Sequence, residues 1–399
     1  MRNGVAVAGV VILARLAAAC GRVEPAPVAP APPPRPCVPT VASSAPPPPA
    51  PSPPQVPPGA VTVVEERRPG PSGLALVRST LVWRRQQDIM AMSLPDGKPT
   101  DLGAGPHPGA VRPLSDGSIL YWFSPGFGAI SAMPISGGDV TDLPIKLPAG
   151  TRSLPVGAMA LNATSLFVVG TGSAIEPSHP QTAALFSISL SDGVAQLLAK
   201  VPSSATAGLS VVADSDSVFW TSAVPKVGKK EIAPTIFEYS LSDKTNEAVH
   251  DFASGAPIHA LAGDKQWLYV SVGGPGGDGS IGRIAKRTRA FSVVVEHVDA
   301  SFFAVDDDTI YFTSQDAKTL SRVPKTGGVP DVLWHGDDRP DDVVVDDRYV
   351  YWVDHTNMSI MRIGKKAPGT PWSFADAGAP SDAHQGDAHD GGAHDDAGR

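Results

Sequence analysis

The sequence predicts an all-β chain, a seven-bladed β-propeller of four-stranded blades, preceded by a signal sequence and a Pro-rich tether. Three observations predict it. A strand-like hexamer recurs seven times between residues 89 and 365, an apolar–aromatic pair precedes each hexamer, and a turn residue precedes most of the pairs. Repetition at about 45 residues is the period of a propeller blade.

The leader comes first. Arg2 gives a positive start and Val5 to Ala14 is an apolar run, too short to span a bilayer but suited to the core of a signal peptide. Leu16-Ala17-Ala18-Ala19-Cys20 resembles the bacterial lipobox. The resemblance implies that residues 1–19 are removed and that Cys20 is diacylated. A plain signal peptide cut at or just after Ala19, and an uncleaved anchor, are the alternatives. Cys37 is then a lone thiol, or pairs with Cys20 if that residue stays free, as an oxidising compartment permits. Residues 61–373 hold no cysteine, so neither disulfides nor thiolate metal sites are expected there.

Residues 20–60 read as a disordered tether. Half of the residues from Pro25 to Pro58 are proline, which forbids ladders and favours extended polyproline II. At ~3.1 Å per residue this stretch spans roughly 100 Å. Residues 374–399 read as a disordered Asp/Ala/His/Gly tail, too poor in apolar residues to fold. Its Asp-Ala-His repeats, at His384 and His389, offer at most loose chelation of a divalent ion.

The repeat fills residues 61–373. Its hexamers begin at Ile89, Ile130, Leu185, Ile236, Ile281, Leu320 and Ile360, and most are followed by a hairpin signal such as Asp96-Gly97, Gly137-Gly138 or Gly327-Gly328. The preceding pairs are Val82-Trp83, Leu120-Tyr121, Leu166-Phe167, Val218-Phe219, Leu268-Tyr269, Ile310-Tyr311 and Val350-Tyr351. Ahead of them stand turn residues, among them Asp116, Asn162, Asp216, Asp264, Asp308 and Asp347, and before those a small apolar strand. Each unit reads strand, turn, aromatic strand, loop, strand, hairpin, strand. The small strand lines the axis and the aromatic fills the wedge between blades. Val61-Thr-Val-Val64 precedes the first unit, whereas Trp372-Ser-Phe374 makes a poor last strand, so the N-terminal strand is expected to complete the last blade.

Tyr351-Trp352-Val353-Asp354, Phe219-Trp220-Thr221-Ser222, Tyr311-Phe312-Thr313-Ser314 and Tyr121-Trp122-Phe123-Ser124 resemble the YWTD-type propeller repeat. Arg283, Arg322 and Arg362 match its arginine-containing strand. The array is similar to propellers of exported bacterial lipoproteins. The resemblance implies binding of a ligand or protein and carries over no catalytic residue. The best-known YWTD propellers have six blades; this chain counts seven.

Charge narrows the partners. The net charge is -8, with six aspartates in the tail against Arg399 and four arginines in the first sixty residues against Glu24. The remainder is mildly acidic without a basic stripe, so nucleic acid is excluded as an expected partner. Expected instead are another envelope protein or a cell-surface ligand, a monomeric state, and a membrane reached through the lipid anchor, on the periplasmic or outer surface.

In this strand order the loops between second and third strands share one face with the blade-to-blade connections. That face carries the candidate ligand-binding residues His107, Arg152, His259, Asp299, Arg339 and Asp341. The excess loop length falls around blades 3 and 4, mostly at 171–182 and 222–234, with a glycine-rich loop at 273–280, which marks blades 3 to 5 as the expected contact surface. Asp306-Asp307-Asp308 and Asp346-Asp347 suit calcium in type but stand where each blade needs a turn. No helical metal-ligand pair, serine elbow or cysteine–histidine pair is present. No cofactor, no metal and no catalytic residue are assigned. The expected function is a non-catalytic, envelope-tethered binding or scaffold module. The alternative is a metal-assisted hydrolase or lyase at the axial channel, using His107, His259, Asp299 and Asp341.

Overall fold

The computed structural model describes residues 61–365, apart from 66–69, 87, 105–111, 125–128, 152, 155, 172–181, 203–208, 223–225, 228–229, 232–233, 253–256, 274–277 and 338. The leader, the tether and the tail lie outside the described residues.

The chain forms a seven-bladed propeller of four-stranded antiparallel blades. Each hexamer is a third strand and begins a residue or more before the first apolar position: Asp88–Ser93 in blade 1, Ala129–Pro134 in blade 2 and so on to Ser359–Gly364 in blade 7. The hairpin after it turns through positive φ at Gly137, Gly193 and Gly327, but also at Lys244 and Arg289. Blades 4 and 5 therefore make the turn without glycine. Blade 4 carries a two-stranded ribbon, Lys226–Val227 with Lys230–Glu231, between its second and third strands.

The ring closes as the sequence predicts. Val61–Glu65 pairs antiparallel with Ser359–Gly364 and becomes the outer strand of blade 7. The weak strand at Trp372–Phe374 lies outside the described residues.

Seven apolar clusters fill the seven wedges. Alternation along the second strand explains how, since adjacent side chains leave a strand on opposite faces. In blade 7 Tyr351 enters the wedge toward blade 1, while Trp352 enters the wedge toward blade 6 and meets Trp334 with ring centroids 5.2 Å apart. In blade 2 Tyr121 and Trp122 divide in the same way. Two neighbouring side chains, rather than one aromatic, thus fill two wedges.

The inner turns correct the sequence at three places. In blades 4, 6 and 7 the turn-forming carboxylates are Asp214, Asp306 and Asp346, not Asp216, Asp308 and Asp347. The Oδ1 atom of Asp306 accepts the N–H groups of Asp308 and Thr309 at 3.1 and 2.8 Å, and Asp346 accepts those of Arg348 and Tyr349. An Asx turn needs its acceptor two and three residues before the donors.

Inner-turn carboxylates also join blades. Lys286 reaches Asp214, Lys325 reaches Asp264 and Lys365 reaches Asp306, each with Nζ 2.7 Å from Oδ2. Each lysine follows the third strand of one blade and each aspartate lies in the blade before it. The lysines also lie over the aromatic rings of Phe219, Tyr269 and Tyr311. Arginines add a second tier: Arg283 Nη1 donates to the carbonyl of Lys325 at 2.8 Å, and Arg362 Nη2 donates to Asp96 at 2.9 Å across the ring closure.

Candidate functional site

The start of each inner strand and the loop between second and third strands meet on the connection face. Three of the sequence-predicted residues stand there, each held by the loop of its own blade. His259 Nε2 contacts the carbonyl oxygen of Gly273. Asp299 Oδ2 accepts the hydroxyl of Ser314 at 3.2 Å and the N–H of Asp316 at 3.3 Å, while Oδ1 accepts Ser301 Oγ–H at 3.3 Å. Asp341 Oδ2 lies 2.7 Å from Nε2 of His355, and its Oδ1 accepts the N–H of Asp342. Arg339 is exposed on the connection entering blade 7. His107 and Arg152 lie outside the described residues, as do most residues of the long loops of blades 3 to 5.

Three residues that sequence reading passed over belong to this face. His355 follows the Tyr-Trp-Val-Asp motif directly; the signal was a histidine in the loop of a blade whose inner strand starts with aspartate. Arg112 lies two residues before the inner strand of blade 2, Leu114–Ser115. Its Nη2 donates to the carbonyl of Val343 in blade 7 at 2.9 Å, and its Nε donates to the carbonyl of Leu74 in blade 1. Asp342 takes the N–H of Leu74 at 3.1 Å. Arg112 and Asp342 therefore link blades 7, 1 and 2 around the ring closure.

Asp342 is strained and electrostatically unusual. Its φ of 32° is left-handed, at a bulge between Asp341 and Val343, a conformation that costs a non-glycine residue about 1 kcal/mol or more. Loss of water raises the pKa of its carboxyl group, and the neighbouring Asp341 pushes the same way against the charge of Arg112.

The axial channel holds a cavity of about 700 Å³ lined by inner-strand residues of blades 1, 2, 5, 6 and 7, with Arg78, Arg112 and Asp116 as its charged residues. None of His259, Asp299 and Asp341 lines it. Asp299 instead borders a cavity of about 390 Å³ between blades 5 and 6, with Phe312, Ser314 and Asp316. On the opposite face a cavity of about 630 Å³ contains Asp306, Asp307, Asp308, Asp346 and Asp347, together with Arg78 and Lys365. Among the described residues, no three His, Cys, Asp or Glu side chains gather closely enough to hold a metal ion.

No protein-family model matches the chain, and no curated protein matches it in sequence. Its fold is similar to that of solved structures. An oligogalacturonate lyase in complex with manganese aligns at 11% identity over 72% of this chain and 86% of its own, with a TM-score of 0.53. An oligogalacturonate lyase from Vibrio parahaemolyticus aligns at 9% identity over 77% of this chain and 97% of its own, with a TM-score of 0.55. A computationally designed protein, Ika8, aligns at 11% identity over 76% and 99%, with a TM-score of 0.51. At such identities the likeness is one of fold alone, since a propeller hosts many unrelated functions.

Proposed function

We propose that this protein is a non-catalytic binding module with YWTD-like repeats, tethered to the cell envelope through Cys20, that presents its connection face to another envelope protein or a cell-surface ligand. One observation carries the reading. Three titratable side chains on that face, His259, Asp299 and Asp341, tie inner strands to loops. Groups used this way make a rigid, preorganised surface, which favours binding by lowering the ordering cost. The contact surface falls on blades 3 to 5, where the loops are longest. The test is capture from envelope extract by the full chain, beside a variant whose loops at 172–181 and 223–233 are cut to tight turns. A partner held by the first and released by the second supports the reading. A partner held equally by both moves the site elsewhere.

A second reading has one observation in its favour. The His355–Asp341 pair orients an imidazole on the connection face, as a general base requires, and an oligogalacturonate lyase that binds manganese has a similar fold. Manganese titration followed by an oligogalacturonate cleavage assay tests it. Stoichiometric binding with turnover would replace the first reading.

A further inference from the structure

We propose that the connection-face end of the wedge between blades 1 and 2, beyond its apolar cluster, is an oxyanion-binding site centred on Arg84. This goes beyond the reading above: it names a ligand chemistry, and it holds whether or not the same face docks a protein.

Arg84 is the fifth residue of the second strand of blade 1, Thr80–Arg85. The fifth residue of the other six second strands is Phe123, Val169, Thr221, Ser271, Thr313 or Val353, and Thr221 and Thr313 are fully buried. The hydroxyls among them bond to backbone next to them: Thr221 to Ser210, Ser271 to Ala300 and Thr313 to Phe302. Blade 1 alone places a cation in this position. Its direction follows from alternation. Val82 packs into the cluster shared with blade 2, so Arg84, two residues on, faces the same wedge.

Arg84 is 5% exposed. Its Nη2 donates to the carbonyl of Gln86 at 2.6 Å, which sets it at the level of the connection-face loop. Its Nε–H is buried and, among the described residues, has no acceptor. Neighbouring charges do not neutralise it. Arg85 has Asp88 and Asp101 at 3.3 and 3.1 Å, and Arg112 faces Asp342. Among the described residues, no carboxylate lies in ion-pair range of Arg84. Arginine stays charged at any ordinary pH, and a buried charge without a partner is costly. An oxyanion answers both needs, accepting from Nε–H and neutralising the fork.

The probes are inorganic phosphate, acetate and glucuronate, each titrated into the full-length protein at constant ionic strength and followed by thermal unfolding and calorimetry. Saturable binding of at least one, with a rise in Tm of about 2–5 °C near saturation, is the expected result. Phosphate alone points to a free inorganic ion, acetate to any carboxylate, and glucuronate without acetate to an acidic sugar. Arg84→Thr, which copies blades 4 and 6, folds and loses the shift. Arg84→Lys keeps the charge but not the Nε–H fork and binds about tenfold more weakly, which tests the site even if the threonine variant is unstable. Absence of a saturable shift with all three probes overturns the proposal, and so does a shift of equal size in wild type and both variants. Neither result touches partner capture from envelope extract, which tests the other reading separately.

Discussion

Lys325 at the end of the third strand of blade 6 places Nζ 2.7 Å from Oδ2 of Asp264 in the inner turn of blade 5. The same oxygen accepts the phenol O–H of Tyr269 at 3.0 Å, and Oδ1 accepts two backbone N–H groups. One carboxylate thus holds its own turn, an aromatic of its own blade and a cation of the next.

Removing the cation should expose the value of this join. Lys325→Leu copies Leu94, Leu190 and Leu241, which occupy the same place in blades 1, 3 and 4. It leaves Asp264 part-buried without its countercharge. A loss of about 1–3 kcal/mol is expected, read as a lower midpoint in urea. Restoring stability in Lys325→Leu/Asp264→Asn, relative to the single lysine variant, identifies the unpaired charge as the cause.

Acid should act on the same joins. Burial works to raise the Asp264 carboxyl, but the Lys325 hydrogen bond, the Gln266 and Trp267 N–H groups and the Lys325 charge hold it down to about 2. Asp214 and Asp306 are lowered against burial in the same way by Lys286 and Lys365. A carboxylate with a depressed folded-state pKa stabilises fully above its unfolded value, near 4, and loses that contribution as pH falls toward the folded value. Stability should therefore drop between about pH 4 and pH 2, with Asp264 contributing up to about 2 kcal/mol. Unfolding in urea across this range checks it, and Asp264→Asn should flatten the slope.

Ring closure rests on Val61–Glu65. Deletion of residues 1–65 leaves Ser359–Gly364 as an unpaired edge, open to pairing with other chains. A loss of several kcal/mol is expected, together with self-association visible by light scattering. A monomer of undiminished Tm would show that the closing strand is dispensable.

The wedge aromatics carry much of the core. Trp352 is fully buried against Trp334, and Trp352→Ala should cost about 3–5 kcal/mol, measured by calorimetry.

The anchor is tested apart from the fold. Cys20→Ala should move the protein from the membrane fraction to the soluble envelope fraction and abolish labelling by a fatty-acid analogue. Unchanged partition would remove Cys20 as the lipidated residue.

What the sequence by itself determined is the architecture. The second strands and hexamers recur in register because each blade solves the same packing problem, and buried strands need apolar side chains at fixed intervals. Even the closing strand was legible, since a blade with three good strands needs a fourth from elsewhere. The inter-blade ion pairs were half legible: Lys286, Lys325 and Lys365 break an otherwise apolar sixth position, but their partners lie 59 to 72 residues upstream. Spacing within one blade does not show such a partner. Only the tertiary structure decided which turn aspartate acts: Asp306 accepts the turn N–H groups, including that of Asp308 two places on. It also decided that His355 meets Asp341, that Arg112 and Asp342 join three blades, and that Arg84 is buried without a countercharge. Periodicity reports which face of a strand is covered. It does not report which atoms of distant blades arrive beside one another, and the chemistry of this molecule depends on that arrival.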